Sequence, residues 1–433
     1  MAAEEESPLA ESLLAPGKDA GDDAAIMESH LLLPCDTGAS FSRSCLNLSN
    51  VISGVGMLSV PYALAQGGWL SLALFAVVGA VCYYTGDLIA RCMRAGGGGG
   101  DAVRGYPDIG QLAFGRAGRR AIGAVMYAEL YLVATSFLVL EGGSLDKLFP
   151  GAGADLLGCR LRGKQLFTVA AAAVVLPTTW LRDLSVLAYV SAVGLVASAA
   201  LTASLVWAGV DEHGFHANGG NVLNLAGLPT SLSLYFVCFA GHGIFPTVYS
   251  SMKKKRDFTK VLLVSSVLCS LNYALTAVLG YMIYGDDVQA LVTLNLPSGK
   301  TYTRIAILTT LITPLAKYAI VIQPIATRIE EKLSLAGGHG GLTRAAISTA
   351  VLVSTAVVAC TVPFFGYLMS FIGSSLNVTV AVLFPCLSYL KIFVPRGGVR
   401  RAEVAAIVGI LVIGVCIAVV GTYTSLHQIV GTF

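Results

Sequence analysis

Charged residues are scarce in this chain. Asp, Glu, Lys and Arg make up 12% of its 433 residues and hydrophobic residues 55%, whereas about 25% of the residues of a soluble protein are charged. The composition therefore excludes an ordinary soluble protein and predicts an integral membrane protein. The formal net charge is only +3, so we expect no nucleic-acid partner.

The sequence also lacks the common signatures of catalysis and of nucleotide binding. It has no Gly-x-x-x-x-Gly-Lys-Ser/Thr loop, no His-Glu-x-x-His and no Gly-x-Ser-x-Gly. These absences argue against an enzyme and against an ATP-driven pump. They leave an ion gradient as the energy source, without a cofactor. The ten cysteines fall mostly in apolar segments and predict neither a disulfide framework nor a metal site.

Eleven apolar segments are long enough to cross the roughly 30 Å hydrocarbon core of a bilayer. We number them spans 1 to 11; they cover residues 41–65, 69–93, 119–148, 164–180, 185–208, 225–251, 258–284, 302–328, 342–362, 364–392 and 402–425. If the N-terminus is cytosolic, 21 of the 28 Lys and Arg residues lie in or next to cytosolic segments. The positive-inside rule therefore predicts a cytosolic N-terminus and an outer or lumenal C-terminus.

Spans 1 and 6 carry matching interruptions at a constant offset of 187 residues: residues 53–63 read SGVGMLSVPYA and residues 240–250 read AGHGIFPTVYS. A glycine pair followed by a proline weakens helical hydrogen bonding, which the membrane interior tolerates only where the backbone lines a cavity. Spans 1 and 6 cross in opposite directions. We therefore expect a five-plus-five inverted repeat with discontinuous spans 1 and 6, over residues 41–208 and 225–392, and an eleventh helix at 402–425.

The two breaks predict the class of substrate. In span 1, backbone amides at the start of the second half-helix lack intrahelical partners and lie at the positive end of a helix dipole, which suits a carboxylate. Carbonyl groups orphaned by the breaks suit an ammonium group, so a free α-amino acid satisfies both. The alternative, that the glycines only allow close helix packing, explains a single glycine better than a matched pair. The candidate binding residues at the breaks are Ser53, Gly54, Val55, Gly56, Met57, Phe239 and Gly241.

Ionisable and polar side chains within the spans are further candidates, because burying them in a membrane is costly. Lys317 in span 8 and Glu129 in span 3 lie roughly 16 and 14 Å from the cytosolic ends of their helices. Each is a candidate for proton coupling, with a fixed structural role as the alternative. His242 is a candidate for contact with the substrate or a proton, with a satisfied polar side chain as the alternative. Tyr131 is a candidate for contact with the substrate, with aromatic packing as the alternative, and Asn377 in span 10 is a candidate for a gate.

Residues 1–40 differ from the rest of the chain. They hold nine acidic residues and one lysine, with too little apolar surface to fold alone. We expect a disordered cytosolic tail without a cleavable signal peptide. In this tail Glu28, Leu32 and Leu33 fit the acidic dileucine pattern that sorting adaptors bind. The alternative, which explains the pattern equally well, is a chance match.

Five motifs follow one another along the first half of the chain: Asn50-x-x-x-Gly-x-Gly-x-Leu-x-x-Pro61-Tyr-Ala, Tyr106-x-Asp-Ile, Glu129-Leu-Tyr, Phe137-Leu-Val-Leu-Glu-Gly142 and Leu145-Asp-Lys-Leu-Phe-Pro150. They resemble the motifs of the amino acid/auxin permease family, and the resemblance covers residues 40–425. The chain is most similar to the vacuolar amino acid transporters of plants and fungi within that family. The resemblance implies an all-α membrane protein with eleven helices in the fold of sodium-coupled leucine transporters, proton-coupled transport and neutral amino acids as substrates. Gly143 departs from the family, where we expect Asp in many relatives.

The resemblance also suggests a role for Lys317. In the related fold, helices 1 and 8 together hold a coupling sodium, and an ammonium at that place could replace the metal. We therefore expect a proton-coupled secondary transporter of neutral amino acids in the vacuolar membrane, with the amino acid, protons and the lipid bilayer as partners. Two alternatives stay open: an amino-acid sensor that signals through its tail, and a sodium-coupled symporter at the plasma membrane.

Overall fold

The computed structural model describes residues 39–96, 103, 105–156, 159–180, 185–216, 220–334, 340–362, 364–397 and 399–431. The predicted sorting residues Glu28, Leu32 and Leu33 lie outside the described residues. All eleven predicted spans coincide with helices.

Three spans consist of two helices each. The other eight are named as one helix each, although a kink at Gly115 (φ +68°) separates the first residues of the span 3 helix from the rest of it. Span 1 is α1 (Phe41–Ile52) and α2 (Gly56–Gly67), span 2 is α3 (Ser71–Gly96), span 3 is α4 (Tyr106–Leu148), span 4 is α5 (Lys164–Thr179), span 5 is α6 (Ser185–Ala208), span 6 is α7 (Leu228–Cys238) and α8 (Phe245–Ser251), span 7 is α9 (Phe258–Tyr284), span 8 is α10 (Thr301–Ser334), span 9 is α11 (Gly340–Thr361), span 10 is α12 (Phe365–Phe371) and α13 (Phe384–Phe393), and span 11 is α14 (Arg401–Val430).

Shorter turns join or extend these helices. Span 10 continues from α12 to α13 through two π-helical turns, and another π-helical turn extends span 5. Four 3₁₀ turns lie in the second half of the chain, one of them inside span 6. The π turns are Gly209–His213, Ile372–Asn377 and Thr379–Leu383, and the 3₁₀ turns are His242–Ile244, Lys255–Asp257, Gly285–Asp287 and Val292–Leu294.

Nine of the described helical segments are long and apolar enough to cross a membrane, and the bent pair α1 and α2 makes a tenth. Helix α5 has only 16 residues, or about 24 Å. Its first residue lies against Gly142, near the end of span 3. Trp180, just after its last residue, donates to Thr349, the tenth residue of α11, at 3.0 Å. Helix α5 is the one predicted span that the count of ten leaves out.

The loop between spans 3 and 4 differs from the all-α expectation. It forms an antiparallel hairpin of β1 (Gly153–Leu156) and β2 (Cys159–Arg162), with Gly153 opposite Arg162. The hairpin has only eight strand residues. It lies in the loop between spans 3 and 4 and belongs to no span. The spans themselves are helical, so the predicted all-α membrane architecture is confirmed and the hairpin is a feature of a loop.

Polar contacts join several span ends on one side of the molecule. Asp87 near the end of span 2 accepts from Thr259 at the start of span 7 (2.8 Å) and pairs with Arg91 one turn further on (2.7 Å). Arg91 also pairs with Glu403 of span 11 (2.9 Å), which accepts from Tyr389 of span 10 (3.2 Å). These ends belong to the side that the charge distribution predicts to be cytosolic.

On the opposite side, the turn between spans 1 and 2 pairs with the segment before span 6. The amide of Trp69 donates to the carbonyl oxygen of Asn221 at 3.0 Å, and the amide of Leu70 donates to that of Val222 at 2.9 Å. The end of span 1 and the start of span 6 therefore lie on the same side of the molecule, so these two spans run in opposite directions. Span 11 is the most exposed of the long helical segments, because only 17% of its most apolar stretch is buried. This exposure agrees with an added helix at the periphery.

Candidate substrate site at the broken helices

Span 1 is discontinuous where the sequence predicts it. Helix α1 ends at Ile52, α2 begins at Gly56, and the two axes are bent by 56°. The amide of Gly54 donates to the carbonyl oxygen of Ile52 at 2.8 Å and not to Asn50 four residues earlier. This local turn ends the regular helical ladder and leaves the carbonyl oxygen of Asn50 without its helical donor.

Side chains from two other spans hold one face of this break. The hydroxyl of Tyr273 in span 7 donates to the carbonyl oxygen of Ile52 (2.8 Å) and accepts from the amide of Gly54 (3.0 Å). The hydroxyl of Ser53 lies 2.7 Å from that of Ser198 in span 5. Tyr273 is almost fully buried, so this face is closed by protein.

Two backbone amides of the break stay free for a ligand. Within the part of the chain that the structure describes, the amides of Val55 and Gly56 have no hydrogen-bond acceptor. The sequence predicts a free amide at Met57 as well, but this prediction is wrong. The Met57 amide donates to the carbonyl oxygen of Gly54 at 3.4 Å. The carbonyl of Gly54 is close enough because residues 54–58 form a tight turn. Two amides at the start of α2 are therefore available to a carboxylate.

The two glycines of span 1 have different surroundings. A Cβ on Gly54 would have only the carbonyl oxygen of Ile52 within 4 Å, at 3.9 Å, so Gly54 lies beside open space. A Cβ on Gly56 would lie 3.1 Å from backbone atoms of Cys238 in span 6. The close-packing alternative therefore holds for Gly56, whereas Gly54 leaves room for a ligand.

Span 6 is interrupted directly against span 1. Helix α7 ends at Cys238 and α8 begins at Phe245, with a 3₁₀ turn in between. Gly241 has a φ of +135°, which disfavours any residue with a Cβ. A Cβ there would also lie 2.9 Å from a methyl group of Val51. The two breaks are therefore in contact, as the binding-site hypothesis requires.

Two predicted side chains of span 6 turn toward span 2. The Nε2 atom of His242 lies 3.0 Å from the carbonyl oxygen of Cys82 and 3.2 Å from the hydroxyl of Thr85. The Phe239 ring packs against Phe75 with centroids 5.2 Å apart. Both side chains are buried and help to hold span 6 on span 2. Neither side chain points into the open space beside Gly54.

Lys317 joins span 8 to the break in span 1. Its Nζ atom donates to the carbonyl oxygen of Asn50 at 3.3 Å, the oxygen that the break deprives of its helical donor. An ammonium has three donors, and this carbonyl is its only acceptor among the described residues. The amide oxygen of Asn50 is buried and has no donor in the same part of the chain. Lys317 thus lies at the negative end of α1, where a cation is stabilised.

The remaining candidates do not contact the breaks. Glu129 is half-buried and, within the described ranges, forms no hydrogen bond or ion pair. The hydroxyl of Tyr131 donates to Ser354 of span 9 at 3.2 Å. Asn377 lies in a π-helical turn of span 10 with a buried, unpartnered amide oxygen. Span 3 instead approaches the break in span 6 through Met126, whose methyl group would lie 3.1 Å from a Cβ on Gly243.

The sequence reasoning missed Tyr273, Asn272 and Ser198. The amide of Asn272 lies 3.6 Å from the sulfur of Met57, so span 7 presents two adjacent polar side chains to the break. An Asn-Tyr pair in the middle of an apolar span is itself a signal, because polar groups at that depth need partners. Ser198 gives no such signal, since isolated serines are common between membrane helices.

The sequence matches a model of the family described as "Transmembrane amino acid transporter protein" over residues 37–427. The chain is 45% identical over 397 residues to the Arabidopsis thaliana protein "Amino acid transporter AVT1I", covering 91% of this chain and 96% of that protein. It is 43% identical to "Amino acid transporter AVT1J" from the same plant, covering 91% and 92%. These relatives are transporters and not enzymes.

Among solved structures, the chain is similar to a Na⁺-coupled sialic acid symporter in a substrate-bound outward-open state. The TM-score is 0.54 with 11% sequence identity, over 93% of this chain and 95% of that one. Identity this low shows the fold alone, and that fold is the expected leucine-transporter type. The family match and the two Arabidopsis relatives go further: the chain belongs to the transmembrane amino acid transporter protein family.

Proposed function

We propose that the protein is a proton-coupled secondary transporter that moves neutral amino acids across the vacuolar membrane by alternating access. The observation that carries the proposal is the contact between Lys317 and the carbonyl oxygen of Asn50 at 3.3 Å. It puts a cation from the middle of a membrane span at the break in span 1, the same break that leaves the amides of Val55 and Gly56 free.

The substrate follows from the polar groups of the break. The amides of Val55 and Gly56 would bind the α-carboxylate at the positive end of α2. The carbonyl oxygen of Gly241 already accepts from the amide of Ile244 at 2.9 Å. Those of Phe239 and Ala240, at the end of α7, would therefore accept from the α-ammonium group. The substrate side chain would occupy the open space beside Gly54. No carboxylate touches the break within the described residues, so a cationic substrate side chain would meet no counter-charge and a neutral one is preferred.

The coupling ion follows from Lys317. An ammonium at the carbonyl end of α1 occupies the kind of position where an unwound helix would coordinate a sodium ion. Because the group is a side chain, it cannot leave with the substrate, but it can gain and lose a proton as the site opens to each side in turn. A proton gradient therefore fits this arrangement better than a sodium gradient.

A vacuolar location rests on the tail motif of Glu28, Leu32 and Leu33, together with the family resemblance. Sorting adaptors in the cytosol would bind that motif. Fluorescent tagging of the full chain in plant cells tests the location separately from transport.

The transport proposal is tested with purified protein in liposomes. A panel of neutral, acidic and basic amino acids would be offered under an imposed pH gradient, with sodium either present or replaced by choline. We expect accumulation of neutral amino acids that requires the pH gradient and is the same in choline. Accumulation that requires sodium, or a preference for a basic amino acid, would contradict the proposal.

A further inference from the structure

A cluster of exposed cations follows span 6, on the same side of the molecule as the start of span 1. All five side chains are exposed, and none forms an ion pair within the described part of the chain. The ammonium of Lys255 lies 5.9 Å from the ring centre of Tyr249. We call these residues the basic surface; they are Lys253, Lys254, Lys255, Arg256 and Lys260.

The crowding of these cations calls for an anionic partner. Asp257 is half-buried and is the one acidic residue within this stretch. Like charges at such short spacing repel each other, and an anion that binds among them relieves the repulsion. The chemistry of the surface therefore fits a polyanionic segment or an anionic headgroup.

The chain that precedes span 1 is attached to this surface. The amide of Ala39 donates to the carbonyl oxygen of Ser251 at 2.8 Å, and the amide of Lys253 donates to the carbonyl oxygen of Ala39 at 3.1 Å. Ala39 and Met252 form a parallel bridge, and both are buried. Residues 1–38 therefore join the described structure directly at the basic surface.

Residues 1–38 carry nine acidic residues and one lysine. Asp36 is three residues from Ala39, and Glu28 is eleven residues from it. At about 3.5 Å per extended residue, these carboxylates can lie at most about 10 and 40 Å from the point of attachment. We propose that the acidic segment 19–36 docks on the basic surface of its own chain; its acidic residues are Asp19, Asp22, Asp23, Glu28 and Asp36.

The attachment at Ala39 favours this segment over lipid headgroups. A covalently tethered ligand has an effective concentration in the millimolar range, without the loss of translational freedom that a separate molecule suffers. Anionic lipids can also bind clusters of cations next to a membrane helix, and they are the competing occupant that an experiment must separate.

Docking has two consequences for the protein. The docked segment would connect the cytosolic start of span 1 to the cytosolic end of span 6, and these are the two discontinuous spans. It would also place Glu28, Leu32 and Leu33 against the bundle, so a sorting adaptor would have to compete with the basic surface for them. The same contact would therefore influence both the motion of the bundle and the sorting of the protein.

Zero-length carbodiimide cross-linking of carboxylates to lysines, followed by mass spectrometry, tests the proposal on the full chain in liposomes. The informative bonds join Asp22, Asp23 or Glu28 to Lys253–Lys255. Lys391 is the control, because it is exposed and lies on the same side, two residues after Tyr389. With a tethered site we expect a yield at least about fivefold higher for the basic surface than for Lys391.

Ionic strength and charge removal provide two further checks. Raising the salt from about 0.1 to 1 M shortens the Debye length from about 10 to 3 Å, so the excess over Lys391 should disappear. Arg256→Gln with Lys260→Gln keeps the reactive lysines and should lower the yield. The matched double variant Arg400→Gln with Arg401→Gln, which changes exposed cations elsewhere on that side, should leave the yield unchanged.

Two outcomes would overturn the proposal. Equal yields at Lys253–Lys255 and at Lys391 would mean that the tail meets this side of the protein only at random. An excess that is present in phosphatidylcholine vesicles but absent when phosphatidylserine is included would mean that lipid headgroups occupy the basic surface. An excess that persists in both kinds of vesicle supports docking of the tail.

Discussion

The Nζ atom of Lys317 in span 8 lies 3.3 Å from the backbone carbonyl oxygen of Asn50 in span 1. This carbonyl is free because the amide of Gly54 bonds to Ile52 instead. The break that creates the candidate substrate site therefore also creates the acceptor for the lysine. In the proposed mechanism, substrate binding at the break and the charge of Lys317 are linked through the same half-turn of backbone.

Replacing Lys317 with Ala should uncouple accumulation from the pH gradient. The change removes the titrating group but leaves the backbone of the break in place, so exchange of one amino acid for another should persist while concentrative uptake falls to background. The measurement is uptake into liposomes under a pH jump, beside counterflow without a gradient.

The variant Lys317→Arg provides the control for this prediction. An arginine keeps the positive charge at every accessible pH, so it should retain binding and also lose coupling. If Lys317→Ala still concentrates substrate at the rate of the unmodified protein, the coupling role passes to Glu129, and Glu129→Gln in the same assay decides.

Substitutions of Gly54 and Gly56 should fail for different reasons. Gly54→Leu extends into open space, so the protein should fold and insert normally but lose substrate binding. Gly56→Ala places a methyl group 3.1 Å from the backbone of Cys238 and should destabilise the fold by about 1–3 kcal/mol. Thermal unfolding in detergent and counterflow separate the two effects. Normal uptake by Gly54→Leu would contradict the assignment of the substrate to this space.

The positions of the spans and of the two breaks were predictable because their causes are local. Apolar length determines where a helix can cross, and the glycines near Gly54 and Gly241 disrupt hydrogen bonds within four residues of themselves. The direction of a side chain at a break is not a local property. The sequence makes His242 a candidate for contact with the substrate or a proton, whereas the structure shows its ring bonded to Cys82 in span 2, because packing between spans determines where it points.

Contacts that one span makes with another were harder to anticipate for the same reason. The depth of Lys317 could be counted along its helix, and this predicted a polar partner. That the partner is the carbonyl of Asn50 depends on how spans 1 and 8 pack. For Tyr131, the depth along the helix suggested contact with the substrate. In the structure its hydroxyl donates to Ser354 in span 9 instead.

The tail motif predicts where the protein is delivered. Combining Glu28→Ala with Leu32→Ala and Leu33→Ala should shift a fluorescently tagged chain from the vacuolar membrane to the cell surface, because the adaptor site is lost. Leu13→Ala with Leu14→Ala is the matched control, since that leucine pair has no acidic residue four positions earlier. An unchanged location for the triple variant would mean that the motif is a chance match.

Tyr273→Phe should weaken substrate binding without unfolding the protein. The hydroxyl holds both the carbonyl oxygen of Ile52 and the amide of Gly54, and its loss frees the backbone that orients the amides of Val55 and Gly56. A hydrogen bond of this kind contributes about 0.5–1.5 kcal/mol, so we expect the apparent substrate affinity to fall by up to about tenfold. Substrate titration of counterflow measures this change.

Tyr281→Phe is the control for the change at Tyr273, because it lies in the same span and also makes two hydrogen bonds. Its hydroxyl donates to Asp286 at 2.9 Å and accepts from the amide of Asn221 at 3.0 Å, both near the opposite side of the bundle from the basic surface. It should therefore affect thermal stability but not substrate affinity. If both variants bind substrate as the unmodified protein does, the Tyr273 hydroxyl only stabilises the fold, and the free amides at the start of α2 hold their positions without it.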